Sequence, residues 1–225
     1  MGELFDVAQA DLLLSTTRAV RKRLDLTRPV SRELVLDCIR VACQAPTGGN
    51  IQRWRWVVVD DPQMKESVAG FYRRAFNPYM EAQRQALEKA GRMTRSTSEI
   101  IDSSEYLSEH LHEVPVLVIP CMLDRVPDHA KQGLMAGFYG SILPAVWSFQ
   151  LALRARGLGS AWTTLHLEYE AEVADLLAIP HTVSQVALLP VAYTIGAQFK
   201  PGVRRPAEEV TYINGWKGSA REDRR

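Results

Sequence analysis

Apolar and polar positions along the chain change period several times, and each change marks an expected element. Residues 4–14 place Leu4, Val7, Ala8 and the stretch from Asp11 to Leu14 on a partly apolar helical face. A basic turn follows, Thr17-Arg18-Ala19-Val20-Arg21-Lys22-Arg23. Ser31 then caps a helix whose Leu34, Val35, Cys38, Ile39 and Ala42 recur at three-and-four spacing. That helix stops near Ala45, because the residue before Pro46 is pushed out of the helical region. Thr47-Gly48-Gly49-Asn50 reads as a loop.

Residues 55–59 form a strand of β-branched and aromatic residues ended by Asp60-Asp61-Pro62, and residues 63–90 are helical and increasingly charged. Residues 91–104 are polar and read as either a mobile lid or a surface excursion. Residues 114–121 are a buried strand. A long apolar helix over 134–156 includes Leu143, Val146, Trp147 and Leu151, with Pro144 either kinking it or sitting in its first turn. Gly157-Leu158-Gly159 ends it. A third strand over 160–165, a helix over 168–178 and a fourth strand over 183–193 broken by Pro190 complete the order, and the remainder is extended. Helices outnumber separated strands, so the expected class is α+β around one sheet, as a single domain over residues 1–225 with no internal repeat.

Composition narrows this picture. A chain of 225 residues with 46% hydrophobic and 24% charged residues is an ordinary globular protein. With 27 basic and 26 acidic residues the formal net charge is +1, which gives no long-range field for nucleic acid. The longest apolar stretch, 114–122, is too short to span a bilayer, and no secretory leader is visible, so a cytoplasmic location is expected. Cys38, Cys43 and Cys121 are expected to be reduced small hydrophobes.

Three constellations carry possible chemistry. Arg18, Arg21, Lys22 and Arg23, with Lys200, Arg204 and Arg205 far downstream, are two clusters that could converge on one phosphate, although a solvated turn and tail is the simpler reading of the charges alone. Thr47, Asn50 and Gln52 alternate a hydroxyl and two amides on a glycine-bearing loop, a donor and acceptor set suited to a heterocycle or to capping the loop's own backbone. Gly157-Leu158-Gly159-Ser160-Ala161-Trp162-Thr163-Thr164 leaves a helix for a strand and can present backbone N–H groups. No metal site is expected: His110 and His112 are two apart and point different ways. His166 follows the third strand and reads either as facing a site or as structural.

Together these segments resemble the nitroreductase family. Thr17-Arg18-Ala19-Val20-Arg21 is similar to its Arg-Arg-Ser-x-Arg signature, and Pro46-Thr47-x-x-Asn50-x-Gln52-x-Trp54 to its Pro-Ser-x-x-Asn-x-Gln-Pro-Trp loop. Gly157-Leu158-Gly159-Ser160-x-Trp162 resembles the late Gly-Leu-Gly segment, and Arg204-Arg205-Pro206 the closing basic motif. Thr17 and Ala19 depart from the first arginine and the serine, Arg53 from the proline, and Arg23 from a frequent aromatic.

The resemblance implies a central sheet flanked by helices in an intertwined homodimer. It implies two FMN sites built from both subunits, the helix around Trp147 as interface, and residues 199–225 as an arm on the partner. Thr17, Arg18, Ala19, Val20, Arg21 and Arg204 would then sit at the phosphate end of FMN. Thr47, Asn50 and Gln52 would approach the ribityl chain and ring, and Trp162, Thr163 and Thr164 would line the ring near N5. No dedicated catalytic side chain is implied. The flavin would take a hydride from NADPH or NADH and reduce a flat electron-poor acceptor such as a nitroaromatic or quinone. A backbone N–H at N5 fits that hydride chemistry; a hydroxyl from Thr163 or Thr164 resembles the family's dehalogenating branch. A flavin-cleaving enzyme or a non-enzymatic flavin binder are the further alternatives. Residues 70–112 would form a lid, where Phe71, Tyr72, Phe76, Tyr79 and Tyr106 either stack on the acceptor or pack helices.

Overall fold

The computed structural model describes residues 5–216; Leu4 and residues 217–225, the end of the expected arm, lie outside them. Two compact units emerge. One is Thr17–Ala197, and the other joins Met1–Thr16 to Gln198–Arg225.

In the larger unit, β2 (Val116–Leu123) is the centre of an all-antiparallel five-stranded sheet. It pairs on one side with β1 (Trp54–Val59), Trp54 opposite Met122 and Val59 opposite Leu117. On the other side it pairs with β4 (Val183–Gln185) and then β5 (Leu189–Tyr193), and β3 (Leu158–Ser160) closes the outer edge against β5. All but the last residue of β2 are buried, because both faces of the sheet are covered. Val116, Val118 and Met122 meet α2 (Arg32–Ala42) and α6 (Leu143–Ala155), where Phe149 lies with its ring 5.3 Å from that of Trp56. The alternation of a strand turns Leu117, Ile119 and Cys121 to the other face.

Ser31 accepts from the Leu34 N–H and starts α2 as expected, and the apolar stripe Val35, Cys38, Ile39 and Ala42 is buried. The chain between β1 and β2 is almost wholly helical. In α3 (Pro62–Lys89), Asp61 accepts from the N–H groups of Gln63 and Met64, and Pro62 fills the first turn where no donor is lost. The buried Lys65 ammonium donates to the carbonyls of Val114 (2.8 Å) and Pro115 (3.3 Å), tying α3 to the entry of β2.

Several expectations are corrected. Residues 95–104, read as a mobile lid or a surface excursion, are helical and make up most of α4 (Arg95–His110); Thr94 caps it, and Ile101 and Leu107 give it a buried side. The expected helix over 134–156 is broken into α5 (Gln132–Gly140) and α6, and Pro144 sits in the first turn of α6. The third strand is Leu158–Ser160 and not residues 160–165: Gly157 alone, at φ +76°, turns the chain out of α6 and lets pairing begin at Leu158, and past Ser160 the ladder gives way to the single bridge of Thr163 to Leu188. The fourth strand is two, and the break falls at 186–188; Pro190 lies within β5. Before α7 (Glu170–Leu176), residues Leu165–Tyr169 form a 3₁₀ turn.

In the smaller unit, α1 (Val7–Thr16) occurs with its start three residues and its end two residues beyond the expected bounds. Most of 198–216 has no regular structure, apart from a 3₁₀ turn at Ala207–Glu209 and a stacked Tyr212–Trp216 pair 4.3 Å apart. Arg204 belongs to this unit, where its Nη1 donates to the Val203 carbonyl.

Candidate functional site

The basic turn is held by the sheet edge. The Val20 N–H donates to the Ser160 carbonyl (2.9 Å), Leu24 bridges Thr194, and the Asp25 N–H reaches the Tyr193 carbonyl (2.8 Å). Arg23 is spent on this seam: its Nε and Nη2 donate to the carbonyls of Ile195 and Gly196. Val20 and Leu24 are buried, at 5% and 1% exposure, which fixes the direction of the residues between them. Gly159 makes the approach possible. A Cβ there would lie 2.7 Å from Thr194 Cγ2 and 3.0 Å from Val20 Cβ.

Pinned in this way, Arg21 reaches a chamber of about 400 Å³ shared with Trp162, Thr163, Thr164 and Leu165. Two of the three segments singled out in the sequence therefore meet, although about 140 residues separate them in the chain. Thr163 is buried and its backbone pairs with Leu188 in both directions, while its hydroxyl donates to the Leu188 carbonyl at 2.7 Å. That hydroxyl is not free to meet a ligand. Thr164 is exposed, lines the chamber, and its hydroxyl has no hydrogen-bond partner among the described residues. Burial lowers the affinity of the Arg21 guanidinium for its proton, and only the nearby Tyr72 phenol acts against this. Burial also pushes the Tyr72 hydroxyl up to about 12, so it stays protonated at neutral pH.

The opposite wall is α3 and α4. From α3 come Tyr72, Phe76, Tyr79, Met80, Gln83 and Leu87, and from α4 Thr97, Ile100, Ile101 and Ser104. Of the five aromatics proposed for stacking, Tyr72, Phe76 and Tyr79 line the chamber. Phe71 packs against Tyr169 (5.9 Å), and Tyr106 against His110 (4.4 Å). The other wall residues were missed in the sequence, yet 97, 100, 101 and 104 sit at three-and-four spacing, a helix-face signal hidden by their mixed polarity.

The loop 47–52 is elsewhere. The Gly48 N–H donates to Ser141 Oγ (3.1 Å), which holds the loop on the α5–α6 junction. Gly49, Asn50 and Gln52 take φ of +59°, +54° and +55°. Left-handed backbone at two non-glycine residues is strain of a kind concentrated at ligand sites. The Gln52 amide donates to Asn50 Oδ1 (3.1 Å), leaving both side chains on the surface. Thr47, Asn50 and Gln52 thus do not join Arg21 and Trp162–Thr164 within one chain. His166 does not face the chamber. It is fully buried, both ring nitrogens lack a hydrogen-bond partner, and burial drives its pKa down to about 4. Among the described residues no group of histidines, cysteines and carboxylates could hold a metal ion. All three cysteines are free thiols, and no described helix is long and apolar enough to cross a membrane.

The sheet and its helical wrapping define an α+β protein with an aromatic-walled chamber beside a partly buried guanidinium. The chain belongs to the nitroreductase family, whose model matches residues 14–193. It is 26% identical over 196 residues, 86% of its length, to iodotyrosine deiodinase 1 of Rattus norvegicus, of which it spans 65%. The crystal structure of oxidized iodotyrosine deiodinase bound to FMN and 3-iodo-L-tyrosine superposes with a TM-score of 0.65 at 24% identity, covering 90% of this chain and 97% of that one. The FMN-dependent nitroreductase NfnB from Mycobacterium smegmatis, in complex with NADPH, gives 0.60 at 19% identity, covering 84% and 89%.

Proposed function

We propose that this chain is a cytoplasmic FMN-dependent oxidoreductase that takes two electrons from NADPH or NADH and passes them to a small flat acceptor such as a nitroaromatic or quinone. The observation that carries the reading is Arg21, a guanidinium drawn to an aromatic-walled chamber with no carboxylate lining it. A partly buried cation without a partner is costly, so the fold holds it ready for an anionic or electron-rich group. FMN, bound in the similar iodotyrosine deiodinase structure, has a flat ring for the wall of Trp162–Thr164 and negative charge for the guanidinium.

In this reading Thr17, Arg18, Ala19, Val20, Arg21 and Arg204 serve the phosphate and ribityl end, and Trp162, Thr163 and Thr164 face the ring. Bound FMN supplies the electron transfer itself. Arg21 offsets negative charge on the ligand, Thr164 offers a donor, and α3 and α4 exclude water and stack the acceptor. The test is anaerobic: a yellow protein should bleach with NADPH or NADH and recover its colour with a nitroarene, whereas bleaching by neither nucleotide would remove the donor assignment.

A homodimer completes the site, because Thr47, Asn50 and Gln52 reach such a ligand only from a second copy. Next to that loop, α5 and α6 expose Leu134, Met135, Tyr139, Leu143 and Trp147, with Trp147 at 41% exposure. Trp147→Glu should weaken the dimer by roughly 100-fold, as removal of an aromatic anchor does. Light scattering should show monomer, and FMN should be lost with it.

A second reading, reductive dehalogenation, is favoured by the free Thr164 hydroxyl and by the deiodinase relatives. It predicts iodide release from an iodophenol by dithionite-reduced protein even where neither nucleotide reduces it.

A further inference from the structure

We infer that the acceptor taken by this chamber is an uncharged planar aromatic, and that an aromatic amino acid is rejected. The inference rests on the reading above, which assigns Arg21 to the cofactor. Once Arg21 is assigned, every other side chain lining the chamber is uncharged. Tyr72, Tyr79 and Gln83 offer hydroxyls and an amide, which bond a neutral carbonyl, phenol or nitro group and neutralise no charge, while the Thr97 and Ser104 hydroxyls donate to the carbonyls of Arg92 and Ile100. A loop brought by a second copy would add Thr47, Asn50 and Gln52, again without charge; the neighbouring Arg53 is paired with Asp124.

Charged groups lie on the far side of Phe76 and Met80. These two residues also line a second cavity of about 410 Å³ that holds Arg73, Glu81, Arg84, Glu105 and Glu109. Its arginines are already engaged: Arg84 meets Glu105 at 2.5 Å, and Arg73 meets Glu66 at 3.7 Å and donates to the Ser108 carbonyl. Phe76 is 4% exposed and stacks on Tyr72 with centroids 5.9 Å apart, so the partition is packed. One structure of this fold holds 3-iodo-L-tyrosine. In this chain the ammonium of such a ligand would enter a wall without a carboxylate, and a buried unpaired charge is among the costliest defects of a binding site.

The experiment compares two ligands with the same ring, 2-iodo-4-methylphenol and 3-iodo-L-tyrosine, by calorimetry at neutral pH on the protein as purified, with the flavin band recorded on the same sample. The phenol should bind roughly 100-fold tighter than the amino acid. Gln83→Glu, at an exposed position of α3, places a carboxylate at the wall and should raise iodotyrosine affinity roughly fivefold. Equal or tighter binding of iodotyrosine by the unaltered protein overturns the inference, and so does binding of neither ligand. Absence of the flavin band counts against the cofactor assignment, because Arg21 is then open to a carboxylate, whereas tighter iodotyrosine binding with the band present counts against the inference alone.

Discussion

Replacing Gly159 by alanine should lower stability by about 3 kcal/mol, the upper end of what an added methyl costs in a well-packed place. The new Cβ would lie 2.7 Å from Thr194 Cγ2 and 3.0 Å from Val20 Cβ. Both neighbours are β-branched and stiff, so neither swings away cheaply. Relief requires the basic segment to move off β3, stretching the bond from the Val20 N–H to Ser160 and carrying Arg21 out of line with Trp162–Thr164. Urea unfolding should show the lower midpoint, and FMN affinity should fall with it. Gly157→Ala is the comparison: its φ of +76° makes alanine strained, but its Cβ would meet nothing within 4 Å. It should cost about 1 kcal/mol and leave the ligand affinity alone. Equal effects at both positions would show that the close approach of segment and strand does not position Arg21.

A comparable effect is expected from pH. His166 is fully buried with both nitrogens unpartnered, and its pKa falls from 6.5 to about 4, chiefly through burial, with the Glu170 carboxylate acting weakly against the fall. The folded state therefore refuses a proton that the unfolded chain accepts below about pH 6.5. Stability from this group is intact above that pH, is lost progressively as pH falls towards 4, and changes no further below it. At about 1.4 kcal/mol per pH unit the loss amounts to about 3 kcal/mol. Glu170 sharpens the same limb. Arg125 and the Gln185 N–H hold its carboxyl below the usual range despite burial, so its contribution also disappears in acid. His166→Leu removes two orphaned nitrogens and should cost little at pH 7. Its urea midpoint should vary less than that of the unaltered protein between pH 7 and pH 4.5. An unchanged slope would place the acid sensitivity elsewhere.

What the sequence disclosed about the site was its local chemistry. The basic turn, the amide-bearing loop and the glycine exit from α6 are encoded in consecutive residues, so each could be read where it stands. Their convergence could not, because it depends on which strand edges meet: Arg21 reaches Trp162 only through the pairing of residues 20–25 with β3 and β5. The same pairing decided Thr163, whose hydroxyl reads as available until Leu188 is seen opposite it. The helices were legible where a cap and an apolar stripe agreed, as in α2. Helix α4 was hidden because its inward side mixes Ile101 and Leu107 with Thr97 and Ser104, which blunts the apolar period. The short strands failed for another reason: β3 is Leu-Gly-Ser and β4 is Val-Ser-Gln, all buried, and three residues that include polar ones carry no alternation to mark where pairing starts.

The two walls of the chamber are held by different kinds of structure. The wall of Arg21 and Trp162–Thr164 is tied into the sheet by backbone hydrogen bonds, so it tolerates little change. The facing wall is one continuous stretch of chain, the α3–α4 excursion between two neighbouring strands. Side chains along it can be exchanged, and turns lengthened, without altering a single strand pairing. Such a division lets a lineage retune what enters the chamber while inheriting the sheet-side wall intact, so divergence among its relatives should accumulate in residues 70–104 before it reaches the sheet edge.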